Sequence, residues 1–292
     1  MKKRNLFNVL MLIAAVSLTI TALNSCAPKG KNIGLQLYSI RDSINKDVPA
    51  AIAKVAAMGY KFVEPAGYNN GMFYKMEPAE FKALLEANKM TMVSSHTGRN
   101  APDSTNYEET MAWWDACIDA HAAAGAKFIV QPSMGRSAYQ SLEGLKAYCD
   151  YFNEVGAKCN AKGIRFGYHN HSQEFSMKLD STVVIYDYML ENTDPAKVMF
   201  EMDLYWTVMG GANPLDYFNK YPGRFELWHI KDKYEIGGEG TMMDWPAIWT
   251  GAEKSGMQYG VVEVEEYNSD EFTSCKMSYD FLNAAEFVKM PK

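Results

Sequence analysis

Four of the five histidines in this 292-residue chain, His96, His169, His171 and His229, fall at the ends of β-rich runs, close to carboxylates at similar ends. Imidazole beside carboxylate is a donor mixture that suits Mn, Zn, Fe or Co, whereas an all-oxygen set would favour Mg or Ca. The densest stretch is Phe166-Gly167-Tyr168-His169-Asn170-His171, running on to Glu174 and Phe175. Two imidazoles two residues apart on a strand face the same side, which is the geometry of a metal site or of a substrate clamp. His169, Asp203, His229 and Glu263 are separated by 34, 26 and 34 residues. Taken singly, each has a blander reading: Asp203 as a helix cap, His229 as a hydrogen-bonded core histidine, Glu263 as the partner of Lys231. Taken together, at corresponding places in neighbouring units, they predict a site for one divalent transition metal.

The elements that would carry them are legible as a repeat. Short β-rich runs occur at 33–38, 60–65, 90–96, 127–131, 164–169, 198–203, 225–230 and 259–264, and helical periodicity fills 48–58, 77–88, 105–124, 141–162, 181–191, 213–220, 244–255 and 271–288. Gly59, Gly125, Gly163 and Gly256 stand where helix exits need a left-handed residue. Strands alternating with helices imply parallel pairing through crossovers, and eight such units predict a single (β/α)8 barrel, an α/β TIM barrel. The competing doubly wound sheet lacks a glycine-rich turn after its first strand. In a barrel the chemistry gathers at the C-terminal strand ends. Those ends carry Gln36, Tyr38 and Arg41; Glu64; His96; Gln131; His169, His171 and Glu174; Asp203 and Trp206; His229, Lys231 and Asp232; Glu263 and Glu265. His121, inside the third helical stretch, is the exception. The glycine-bearing segment 234–243 is placed to overhang the site as a lid.

Lys2-Lys3-Arg4, the apolar stretch 6–23 and Leu23-Asn24-Ser25-Cys26 read as an export signal. The box around Cys26 resembles a bacterial lipoprotein signal. That resemblance implies a signal peptide over 1–25, a mature end lipidated at Cys26, a tether over 26–31, and a barrel over 32–292 held to the membrane by its lipid alone, on the periplasmic face. A net charge of −6 and a pI near 5.5 disfavour a nucleic-acid partner. Cys117, Cys149, Cys159 and Cys275 form no close pairs and are expected as buried free thiols.

The runs YHNHSQEF, EMDLYW, HIKD and VVEVEE, with FVEPAG and SSHTG upstream, resemble the xylose isomerase-like (sugar phosphate isomerase/epimerase) TIM-barrel family over essentially the whole mature chain. The family's metal ligands, a Glu, an Asp, a His and a Glu on strands 5 to 8, fall here on His169, Asp203, His229 and Glu263, with Mn favoured over Co or Zn. A shift of one pleat puts His171 in the place of His169. The resemblance implies a metal-dependent enzyme that removes a proton α to a carbonyl polarised by the metal, on a non-phosphorylated keto-sugar or glycoside. Histidine in place of the strand-5 carboxylate argues against symmetric two-carboxylate epimerisation. An exported enzyme meets glycosides rather than sugar phosphates, so the favoured reaction is 3-keto-glucoside lysis, a 1,2-elimination that frees the aglycone. Isomerisation or epimerisation through an enediolate is the alternative, and a non-catalytic sugar-binding lipoprotein a remote one. An endonuclease-IV-like phosphodiesterase would need three metals, more histidines and a basic groove. Candidate bases are Glu263, His171 and Glu174. His96 or Glu64 would protonate the leaving group, and Lys231 would face the oxyanion. Gln36, Tyr38, Gln131, Trp206 and Phe175 are the expected substrate contacts. The reading also admits a homo-oligomer and an oxidoreductase that supplies the keto-sugar.

Overall fold

A computed structural model of the protein describes residues 30–291, so the expected signal peptide, Cys26 and most of the expected tether lie outside the described residues. Eight parallel strands alternate with helices. They are β1 (Ile33–Gln36), β2 (Phe62–Glu64), β3 (Thr91–Met92), β4 (Phe128–Gln131), β5 (Arg165–His169), β6 (Val198–Asp203), β7 (Leu227–Lys231) and β8 (Tyr259–Glu263). Hydrogen-bonded pairing runs continuously from β4 through β5, β6, β7, β8, β1 and β2 to β3. An isolated bridge between His96 and Val130 closes the ring between β3 and β4. Every βα unit expected from the sequence is present. The main departure is the last stretch before β8, which breaks into two short helices, Trp245–Trp249 and Ala252–Ser255. Gly59, Gly125, Gly163 and Gly256 all have positive φ, as helix exits require.

Two apolar bodies hold the ring. A large one packs the helices on the outside of the sheet. A small one fills the barrel floor with Phe62, Val93, Phe128, Val130, Met199, Leu227 and Val261. Glycine makes that filling possible at two points. A Cβ on Gly34 would lie 2.1 Å from the Phe62 ring, and one on Gly167 would lie 2.4 Å from the Met199 methyl. Since side chains alternate along a strand, the inward row climbs from this floor in steps of two: Phe62 to Glu64, Gly167 to His169, Met199 to Glu201 to Asp203, Leu227 to His229 to Lys231, Val261 to Glu263. The interior therefore turns from apolar to ionisable within one pleat.

The four cysteines of the barrel are buried and unbridged. His121 is fully buried in the helix Tyr107–Ala124, between the rings of Tyr68 and Phe73 (both 4.9 Å). Its Nδ1 donates to the Cys117 carbonyl at 2.7 Å, and its Nε2 has no partner. Burial pushes its pKa down to about 4, so the folded chain holds it neutral while an unfolded chain would protonate it near pH 6.5. Its contribution to stability is complete above pH 6.5 and is lost as the pH falls towards 4, by about 3 kcal/mol at the limit. A His121→Leu variant is expected to unfold in urea with a shallower loss of stability between pH 7 and pH 4. An unchanged slope would refute this assignment.

Candidate metal centre and active site

The ionisable residues of the interior form two layers that share His229. In the deeper layer His96, His169, Glu201 and His229 converge, with Glu64 beside them. His96 Nε2 lies 2.6 Å from Glu201 and 3.1 Å from Glu64; His169 Nδ1 lies 3.1 Å from Glu201, and His229 Nε2 2.7 Å from Glu64. Gln36 donates to the same Glu64 oxygen at 2.8 Å. Burial disfavours the Glu64 carboxylate, but His96 and His229 outweigh it and bring its pKa down to about 2. Burial, reinforced by Glu64, pushes Glu201 up to about 7 against the pull of His229 and His96. Burial also opposes a charge on His96, yet Glu64 and Glu201 raise its pKa above the ordinary value.

In the upper layer Asp203, His229 and Glu263 converge. The backbone register pairs Asp203 with His229 directly across β6 and β7. Asp203 serves two ends at once. Its Oδ1 accepts the Trp206 amide at 2.7 Å and caps the helix Leu204–Met209, which is the bland reading of this residue. Its Oδ2 is buried with no hydrogen-bond partner and lies 3.9 Å from His229 Nδ1. Asn170 fixes the backbone here, donating to the Asp203 carbonyl at 3.2 Å and accepting its amide at 3.1 Å. Glu263 Oε2 lies 3.4 Å from the same His229 nitrogen and 3.3 Å from Lys231 Nζ. Burial raises the Asp203 pKa to about 7 even though Lys231 and His229 oppose it.

These residues fit a divalent ion. His229 Nδ1 has no hydrogen-bond partner either, because its approach to Glu263 is not aligned as a hydrogen bond. Against burial, Glu201 and Glu263 raise the His229 pKa well above the ordinary histidine value. An ion at this point would displace the Nδ1 proton, leaving Nε2 committed to Glu64 and Nδ1 presenting a lone pair. A buried polar atom without a partner costs about 1–3 kcal/mol, and here two such atoms, Asp203 Oδ2 and His229 Nδ1, face one point with the Glu263 carboxylate as a third donor. The deeper layer is different in kind: its imidazoles and carboxylates already satisfy one another, with only Glu64 Oε2 and Glu201 Oε1 unpaired.

Above the upper layer lies a cavity of about 410 Å³, lined by Tyr38, His96, His169, His171, Glu263 and Glu265 among others. His171 approaches it from the end of β5, its ring 5.0 Å from His169 and 6.1 Å from Trp206. Burial lowers its pKa, which leaves the ring a neutral proton acceptor at pH 7. The position of its backbone is set by Glu174, whose Oε2 accepts the His171 amide at 2.8 Å.

The sequence profile of the xylose isomerase-like TIM barrel family matches residues 52–284. The chain belongs to that family. A solved sugar phosphate isomerase/epimerase from Parabacteroides distasonis is 35% identical, with a TM-score of 0.82, over 89% of this chain and 100% of its own. An inosose dehydratase from Lacticaseibacillus casei is 26% identical over 74% of this chain and 81% of its length. The IOLI protein, solved with a bound zinc atom, shares the fold at a TM-score of 0.69 and 12% identity, over 88% of this chain and 98% of its own.

Against the family's ligand pattern, the structure divides the four residues expected to bind one ion. Asp203, His229 and Glu263 meet, whereas His169 sits one pleat lower with Glu201. That leaves His171, on the same face two residues later, nearer the rim. Several expected roles need correction. Glu174 is fully buried, and Tyr139 and Tyr168 donate to its Oε1 at 2.6 and 2.7 Å while the His171 amide occupies Oε2, so it braces the site and is not a base. Glu64 is held ionised and has no proton to give a leaving group. Gln36 is buried, orients Glu64 and does not reach the cavity. Phe175 packs on Tyr186 and Tyr217 (4.4 and 5.3 Å), away from any substrate. Lys231 sits between Glu263 and Glu265 (3.3 and 2.7 Å), so the ion-pair reading describes it, and its Nζ lies 5.7 Å from the centre of the Trp206 ring. Tyr38 is 45% exposed at the rim with the Arg41 guanidinium 4.8 Å from its ring centre, and Gln131 lines a neighbouring cavity. The segment 234–243 lines neither cavity. Asp232 accepts from the amides of Lys233 and Met242 (both 2.9 Å), and Glu235 accepts from Asn268, which ties the segment down and removes the lid reading.

Glu201 is the site residue that the sequence reading missed. Its signal was present in Glu201-Met202-Asp203, where two carboxylates two residues apart must share a face.

Proposed function

We propose that this protein is a divalent-metal-dependent sugar enzyme that removes a proton α to a ketone and expels the β substituent. The favoured substrate is a non-phosphorylated 3-keto-glucoside, and the reaction frees its aglycone. The observation that carries this reading is that His171 and His96 line one cavity together with His169, while the second carboxylate, Glu174, is withdrawn into hydrogen bonds. Asp203, His229 and Glu263 would hold the ion, with His171 or His169 beside them. An ion held there supplies Lewis-acid polarisation of the ketone oxygen. His171, neutral and half-buried, accepts the proton from C2. The C2–H electrons become the C1–C2 double bond, the C1–O bond breaks, and the departing oxygen takes a proton delivered from the His96 side. Two imidazoles whose surroundings push their pKa values apart suit such an acid and base division. The name of the L. casei relative supports elimination, since dehydration is one, and the IOLI protein, which shares the fold, was solved with a zinc atom. The name of the P. distasonis structure supports the second reading, isomerisation or epimerisation by reprotonation of the same enolate. The export signal adds a third element to the proposal, an enzyme tethered by lipid at Cys26 on the periplasmic face.

The test is to incubate the Mn-loaded protein with a 3-keto-glucoside in deuterated buffer. Aglycone release is the expected result. Deuterium in recovered, uncleaved sugar would replace elimination with isomerisation or epimerisation, and the absence of both would overturn the reading altogether.

A further inference from the structure

The cavity over the metal centre does not end at its rim. A second cavity of about 440 Å³ lies beside it, and the two share Ala66, His96, Pro132 and Ser133 as a common wall. Each alone is within the range of a small-molecule site, about 300–1,000 Å³, so a single sugar ring at the metal leaves the second space unfilled. Its walls come from the end of β4 and the segments after β2, β3 and β4 and are mostly polar: Thr97, Arg99, Asn100, Gln131 and Ser133, with Tyr68 and His96 the two rings. Gln131 is 2% exposed, its Nε2 donates to the Ser133 carbonyl at 2.8 Å, and its Oε1 is buried with no partner. A Cβ at Gly98 would come within 2.5 Å of that same oxygen, so glycine is what lets the loop after β3 pack directly against the amide. An acceptor buried without a partner in the wall of a polar recess calls for a hydroxyl or amine donor.

We infer that this second compartment is a leaving-group subsite for a second sugar ring, so that the substrate is a keto-disaccharide or a closely similar polar glycoside. The inference rests on the proposed elimination for the meaning of "leaving group", but the compartment itself is read from its walls. His96 is the hinge between the two spaces. It belongs to both cavities, which places it beside the glycosidic oxygen joining a ring in one to a ring in the other. Arg99 is held over the Trp113 ring (5.0 Å) and paired with Glu109 (3.0 Å), so it shapes the wall without an unpaired charge. The pocket is thus suited to a neutral polyol.

The experiment compares three 3-keto substrates that differ only at C1: a glucosyl disaccharide, the methyl glycoside and a phenyl glycoside. The disaccharide is expected to have the highest kcat/KM, by roughly tenfold over methyl, the effect of one or two hydrogen bonds. In Gln131→Met and in Thr97→Val that ratio is expected to fall to about a third or less. Equal rates for disaccharide and methyl glycoside, a preference for phenyl, or an undiminished ratio in both variants would each overturn the subsite. Equilibrium binding of the unoxidised disaccharide and methyl glucoside separates this outcome from failure of the proposed reaction. No turnover with a binding preference that both variants lose leaves the subsite standing and removes the elimination, whereas no binding preference removes the subsite.

Discussion

An Asp203→Asn enzyme is expected to lose at least about a thousandfold in kcat/KM, the order of effect when several kcal/mol of charge stabilisation disappear. The substitution separates the two jobs of this side chain. Asparagine still offers an oxygen to the Trp206 amide, so the cap on the helix Leu204–Met209 survives. What changes is the second oxygen, the unpaired atom facing His229 Nδ1, which becomes an amide nitrogen with no lone pair to give. The variant should therefore fold and melt like the wild-type protein without added metal, but Mn should no longer raise its melting temperature as ligand linkage requires. Metal content after dialysis, by mass spectrometry, completes the test. Retained metal with near wild-type turnover would sink the assignment of the upper layer.

The second large effect is expected at His171. Its removal in His171→Ala should cost about 10²–10⁴ in kcat, the range for a positioned general base, with metal content unchanged. The proton-transfer role predicts a further signature. The rate of the wild-type enzyme should decline as the pH falls through the pKa of His171, which burial sets below the ordinary histidine value, because the protonated ring cannot accept a proton. In the variant that acidic limb should vanish, and free imidazole in the buffer should restore part of the rate. If metal content falls together with activity, His171 is a ligand and the base must be sought elsewhere. Glu174 and the two tyrosines that donate to it would then be bracing a coordination bond.

The barrel was legible because its signals are local. Alternation, helix periodicity and glycine at the exits each depend on a few neighbouring residues, and all eight strands lie where the pattern put them. The site was legible as a set of strand ends but not as a set of depths. Whether His169 or His171 meets Asp203 depends on the stagger between β5 and β6, which pairs Glu201 with His169. One pleat moves a side chain from the deep layer to the rim, and nothing within either strand records that offset. Glu174 shows a second limit. Its withdrawal depends on Tyr139, 35 residues away, a contact made only once the fold has formed. Glu201 lost out to Asp203 because strand ends were weighed one residue at a time. A period of two applied backwards from Asp203 recovers it.

The ring is not equally sewn all the way around. From β4 through β8 to β2 the ladder is continuous, whereas β3 is two residues long and meets β4 through the single bridge at His96. The donors of the upper layer hang on the continuous part, and most of the second compartment is built from the loops that leave the seam. Inherited change can therefore fall unevenly on the molecule. Insertions or exchanges in the loops after β3 and β4 can remould what the enzyme accepts, while the donors on β6, β7 and β8 keep their spacing. Such a barrel is easy to diversify in nature and in the laboratory, and a library aimed at new substrates belongs at residues 97–100 and 132–133, leaving His96 itself alone.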